Sequence, residues 1–210
     1  MTDLRYTLLS DGPSDRALLP VLRWLLLENS VRRAIQPQHA DFRHLPRPPR
    51  GLPERIAMAI ELYPCDLLFI HRDAERESLE HREAEIQRSL QQVAQSMAHP
   101  PIISVIPIRM HESWLLFDEA AIRMAAEKPN GREPIDMPPL HTLEKIADPK
   151  AKLRALLQQA SGLSGRRLDR LPLSSHRVAD LIDDFAPLRR LSAFQKLERD
   201  VAQAVQQHGW

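Results

Sequence analysis

Apolar residues recur along this chain in two rhythms, and each rhythm predicts a different element. Residues 5–10, RYTLLS, are a short run of strand-favouring side chains that stops at an Asp-Gly pair, which predicts a buried strand and then a turn. From Ser14 the apolar positions Ala17, Leu18, Val21, Leu22 and Leu25 recur at intervals of three and four, a helical face. Ser14 is placed to cap that helix, and Asp15 in its first turn suits the helix dipole. Residues 34–45, AIQPQHADFRHL, predict an irregular second strand, followed by a loop at RPPRGLP that no helix or central strand would tolerate. PERIAMAIELY, residues 53–63, reads as a helix with proline in its first turn.

The clearest strand is in CDLLFIHRDAE, residues 65–75, where Leu67 to Ile70 are continuously apolar. Such a run suits a strand covered on both faces, as in a parallel sheet. A charged helix is expected over about 77–97, a further strand at IISVIPIR (residues 102–109), and a helix over about 112–127. Strands alternating with helices predict an α/β layer fold with a mostly parallel sheet. KPNGREPIDMPPL breaks this pattern, and the three periodic segments beyond it all read as helices. The expected organisation is therefore an α/β core over 1–128 and a helical C-terminal extension over 129–210, packed on the core.

Composition narrows the classes. A net charge of +1 excludes binding of nucleic acid by bulk charge, so any such binding must come from local patches. The single Cys65 excludes an internal disulfide framework and a cysteine-based zinc cluster. The longest apolar run, ALLPVLRWLLL, holds Pro20 and Arg23 and is too short to span a bilayer, and Asp3 sits where a secretory leader would be basic. A soluble, cytoplasmic protein without membrane contact is expected.

In open parallel sheets, functional groups gather beyond the carboxyl ends of the strands. Here those ends carry Asp11 and Asp15, then His71, Asp73 and Glu75, then Arg109, His111 and Glu112. Converging carboxylates repel unless protons or a cation neutralise them, and hard divalent ions such as Mg²⁺ or Mn²⁺ accept all-oxygen sites. Asp73 and Glu75, if still in a strand, share one face. Each acid also has a plain use: a turn at Asp11, a helix-start charge at Asp15, the beginning of the charged helix at Asp73 and Glu75. His71 and His111 serve equally as hydrogen-bonded strand-end histidines or as auxiliary groups for phosphate contact and proton transfer.

LLSDGPSDRALLPVL, DLLFIHRDAE and IRMHESWLLFD together resemble the TOPRIM fold of topoisomerases, primases and the overcoming-lysogenization-defect (OLD) nucleases. They are most similar to the small stand-alone bacterial TOPRIM proteins of unknown function. The resemblance spans about residues 4–120 and implies a Rossmann-like core. It would make Asp11 the general acid or base, Asp15 the additional acid of the nuclease branch, Asp73 and Glu75 the metal ligands of a D-x-D motif, and Glu112 a further metal-holding acid. Two positions depart from the family: aspartate for glutamate at 11, shorter by about 1.5 Å, and glutamate for aspartate at 75.

HRDAERES lacks the asparagine of a kinase loop, HESWL lacks the second histidine of a zinc protease, and GPSDR lacks the Lys-Ser/Thr of a P-loop. Arg47 and Arg50 (with Arg32, Arg33 and Arg43), and Arg166 and Arg167 (with Arg170), are two basic stretches that either meet a phosphate backbone or form solvated faces. Trp24 and Trp114 lie on apolar faces and are expected in the core. The resulting expectation is a Mg²⁺- or Mn²⁺-dependent nuclease, with DNA favoured over RNA. By family association it would act in phage defence with a separate ATPase subunit. The alternatives are a non-catalytic TOPRIM-fold binding or regulatory subunit and a phosphatase acting on small substrates. Oligomeric state is left open.

Overall fold

A computed structural model describes residues 3–164 and 174–210. Four strands, β1 (Leu4–Leu9), β2 (Ile35–His39), β3 (Leu67–His71) and β4 (Ile102–Val105), form one all-parallel sheet in the order β2-β1-β3-β4. Helices flank it: α1 (Leu18–Glu28), α2 (Leu52–Leu62), α3 (Leu79–Ala94), α4 (Glu119–Ala125), α5 (Pro149–Ser161), α6 (Ser175–Asp180) and α7 (Ser192–His208). This is a Rossmann-like α/β fold, as the alternating pattern predicts.

Every residue of β3 is buried because both sheet faces are covered. Leu67 and Phe69 pack with α1 and the helices from α4 onward, while Leu68 and Ile70 pack with α2 and α3. β2 lies at an edge and tolerates Pro37, which has no N–H to give a ladder. Tyr6 meets Phe69 edge-on at 5.4 Å and donates its hydroxyl to the Leu19 carbonyl at 2.8 Å, tying the sheet to α1. The C-terminal helices bury Leu156, Val178, Phe194 and Val201 in the same cluster as the sheet. No helix among the described residues is long and apolar enough to cross a membrane.

Local differences from the sequence expectation fall where the chain leaves the sheet. The segment after β1 is not yet α-helical: Pro13–Ala17 form a 3-10 turn whose N-cap is Gly12, and Ser14 caps nothing. The helix expected over 112–127 divides into a 3-10 turn at His111–Leu115 and α4, because Asp118 starts a new helix by accepting the Ala121 N–H at 2.9 Å. α6 packs on the first of these turns and α5 on the second, so the C-terminal helices brace both. Trp114, fully buried as expected, stacks edge-on with Phe194 of α7 at 5.3 Å, whereas Trp24 is only half-buried and lies under the Arg189 guanidinium.

Candidate metal centre

β1 connects outward to β2, whereas β3 connects in the opposite direction to β4. The switch between the two halves falls between β1 and β3, where a crevice opens at the carboxyl ends of the strands. The register is level there, with Leu9 beside Ile70 and His71 beside Val105. Side chains from residues 11–15, 71–73 and 111–112 therefore emerge at one edge. The structure brings Asp15, His71, Asp73, His111 and Glu112 together.

Asp15, His71 and His111 are all buried, and each offers a ligand atom within 4.8 Å of the others. Asp15 is fixed by the turn that holds it: its Oδ2 accepts the Gly12 N–H at 2.8 Å and its Oδ1 accepts the Ser14 hydroxyl at 3.2 Å. His71 Nδ1 lies 2.9 Å from the Val105 carbonyl, which can only accept, so Nδ1 carries the proton. His71 Nε2 faces Asp73 Oδ1 at 3.4 Å. Asp73 Oδ1 also accepts the His111 backbone N–H at 2.8 Å, which locks the β3 loop to the β4 loop. His111 Nδ1 lies 3.5 Å from Asp15, 3.6 Å from Glu112 and 4.0 Å from Asp73, yet neither ring nitrogen makes a hydrogen bond among the described residues. The side chain is 2% exposed.

Crowding the acids has electrostatic consequences. Burial raises the Glu112 carboxyl to about 7, with the Asp73 and Asp15 charges adding to it and Lys150 opposing. Burial likewise raises Asp73 to about 6, helped by Asp15 and Glu75 and opposed by His71 and the His111 N–H. For Asp15, burial is outweighed by His71, His111, Gly12 and Ser14, so it stays below the ordinary aspartate range. Burial, then the charge on His71, drives His111 down to about 3, so its ring is neutral. Together these groups can hold a metal ion. One carboxylate stays ionised, the neutral His111 ring offers a lone pair, His71 turns Nε2 into the same group, and two further carboxyls sit ready to lose their protons to an incoming cation.

The other two predicted acids stand elsewhere. β3 ends at His71, so Asp73 and Glu75 do not share a strand face. The loop instead follows the 107–109 segment, with Ala74 and Glu75 N–H donating to the Pro107 and Arg109 carbonyls. Glu75 adopts a left-handed backbone (φ 55), as does Arg109 (φ 68), which turns the Glu75 side chain out to 61% exposure. Asp11, 48% exposed, is held by Arg55 at 2.6 Å and Arg72 at 3.1 Å. Arg72 and Arg82 both pair with Glu85, and Arg82 reaches Glu75 at 3.6 Å. Asp11 and Glu75 are thus the two ends of one ion-pair chain along the rim. Sequence reasoning gave no part to Arg55, Arg72 or Arg82. It ranks His71 and His111 as auxiliary, whereas His71 closes β3 and the loop after β4 returns His111 to it, ring centroids 5.8 Å apart.

Arg47 and Arg50 are exposed on the proline-rich loop and line a separate shallow cleft with Glu54 and Glu61. Arg166 and Arg167 lie outside the described residues. Comparison of the chain with protein-family models, with curated proteins and with solved structures gave no match.

Proposed function

We propose that this chain is a divalent-metal-dependent phosphodiesterase, a nuclease acting on DNA in preference to RNA. The observation that carries the reading is the convergence of buried Asp15 and Glu112 and part-buried Asp73 with two buried imidazoles at the sheet's switch point, the His111 ring having no hydrogen-bond partner among the described residues. Asp15, His71 and His111 would hold the ion, with Asp73 and Glu112 closing the site. When bound, a divalent ion such as Mg²⁺ or Mn²⁺ polarises a phosphoryl oxygen and makes water a better nucleophile near neutrality.

The chain's own residues supply the rest. Glu112, with its carboxyl near 7, can exchange a proton at its Oε atoms close to neutral pH. Asp73 holds the His111 segment in place through its backbone bond. Arg76 and Arg109 line a cleft of about 430 Å³ with Met110 and Asp148, and neither makes an ion pair with a carboxylate among the described residues. Glu75 and Glu77 line the same cleft, so the two guanidinium heads, and not the cleft as a whole, offer positive charge to a phosphate flanking the scissile bond. The TOPRIM resemblance of the strand-end motifs agrees with this chemistry, and by that association the protein would serve phage defence with a separate ATPase subunit. Supercoiled plasmid and single-stranded RNA incubated with Mn²⁺, Mg²⁺ or EDTA provide the test. Metal-dependent cleavage lost in a folded Asp73→Asn variant is the expected result, and equal cleavage by that variant would refute the assignment.

One arrangement favours a second reading, a non-catalytic binding or regulatory subunit. Asp11 and Glu75, which the resemblance would make base and ligand, are spent on the rim ion pairs. No cleavage of either substrate by the folded protein, with metal bound, is what that reading requires.

A further inference from the structure

The proposed activity leaves open which divalent ion the centre selects. We infer that the centre is built for an imidazole-binding first-row transition ion, Mn²⁺ in preference to Mg²⁺, with His71 Nε2 and His111 as direct ligands beside the Asp15 carboxylate. This deepens the phosphodiesterase reading and rests on it.

Three independent features carry the inference. The first is the His71 tautomer. Its Nδ1–H is given to the Val105 carbonyl at 2.9 Å, the outer-shell bond that metal-bound imidazoles make, and this aims Nε2 at Asp73, 3.4 Å away. The second is His111, whose two ring nitrogens are buried without partners among the described residues. An unsatisfied buried polar atom costs about 1–3 kcal/mol. Three carboxylate oxygens lie only 3.5 to 4.0 Å from Nδ1, close enough to share an ion with it. The third is mutual placement. The two rings stand perpendicular with centroids 5.8 Å apart, and ligand atoms from both and from Asp15 fall within 4.8 Å of one another. One ion with bonds of about 2.0–2.2 Å spans that set after small side-chain movements.

The chemistry of the donors then selects the ion. Imidazole suits Mn²⁺, Fe²⁺ and Zn²⁺ increasingly well, whereas Mg²⁺ prefers oxygen ligands and gives up its waters reluctantly. An all-carboxylate centre would have left these two histidines to hydrogen-bond elsewhere, and His111 does not.

Pulsed electron paramagnetic resonance of Mn²⁺ bound to the full chain reads the ligands directly, because imidazole nitrogen couples to the electron spin and carboxylate oxygen does not. Calorimetric titration with Mn²⁺ and Mg²⁺ accompanies it. The expected result is nitrogen coupling in the wild type, reduced in His71→Gln and in His111→Gln. Mn²⁺ affinity should fall in each variant by at least the roughly 10–100-fold that losing an outer-shell partner costs, while weak Mg²⁺ binding barely changes. Mn²⁺ binding without nitrogen coupling, or equal affinity for Mg²⁺, overturns the inference and leaves the phosphodiesterase reading standing. No binding of any of these ions at millimolar concentration overturns both. The wild-type spectrum decides the matter even if a variant fails to fold.

Discussion

Replacing Glu112 by glutamine should stabilise the metal-free protein above neutral pH while weakening its hold on metal. The Glu112 side chain is only 4% exposed, and burial lifts its carboxyl from 4.5 to about 7. Between those values the folded chain keeps a proton that the unfolded chain has already lost. The stability contributed by that proton is fully present below about pH 4.5 and is lost as pH rises towards 7. At about 1.4 kcal/mol per pH unit the full penalty approaches roughly 3 kcal/mol, of which solvent relaxation leaves about half to all measurable. Glutamine has the same shape and never ionises, so it removes the penalty. Chemical denaturation in EDTA, wild type against Glu112→Gln, should show near-equal stability at about pH 4.5 and a variant more stable by roughly 1.5–3 kcal/mol at about pH 8. In melting temperature this is about 3–10 °C for a chain of this size. His111, whose value is depressed, acts in the opposite sense below about pH 6.5, but it does so in both proteins and cancels in the difference. A variant less stable than wild type at both pH values would show that Glu112 is a satisfied structural acid and would refute the reasoning.

Metal affinity should rise with pH through about 6 to 7, as Asp73 and Glu112 give up their protons, and level off above; Mn²⁺ titrations giving a flat profile would contradict the assignment of those two carboxyls. Asp11→Asn should leave Mn²⁺ affinity within about twofold of wild type, because Asp11 belongs to the rim ion pairs, and a loss of tenfold or more by calorimetry would place it among the ligands. Trp114→Ala should cost about 3–5 kcal/mol in denaturant unfolding, since it empties a fully buried site against Phe194, and should weaken metal binding through the neighbouring 111–112 turn. An unfolding midpoint within about 1 kcal/mol of wild type would mean that α7 does not brace the site.

The parts legible in the sequence are those governed by local rules. The continuous run at 67–70 announces a strand covered on both faces, and Pro37 beside weakly apolar neighbours fits the edge strand it becomes. That acids from three segments would meet at the carboxyl edge follows from strand order alone, and Asp15, Asp73 and Glu112 do meet there. What could not be read is the direction of side chains once the backbone leaves the sheet. Asp11 and Asp15 lie four residues apart around one turn, yet the 3-10 geometry from Pro13 points one into the crevice and leaves the other to Arg55 and Arg72. Glu75 was placed on the Asp73 face by strand alternation, which ceases at His71, and its left-handed backbone carries it outward. The centrality of His71 and His111 depends on the β3–β4 register, a long-range pairing with no local signature.

Crystals grown with Mn²⁺ and measured at the manganese absorption edge test the central claim most directly. An anomalous peak bonded to Asp15, His71 and His111, with Asp73 or Glu112 completing the shell, is the predicted result. Full-occupancy peaks only on surface acids such as Glu75, with the Asp15–His71–His111 group empty, would contradict it.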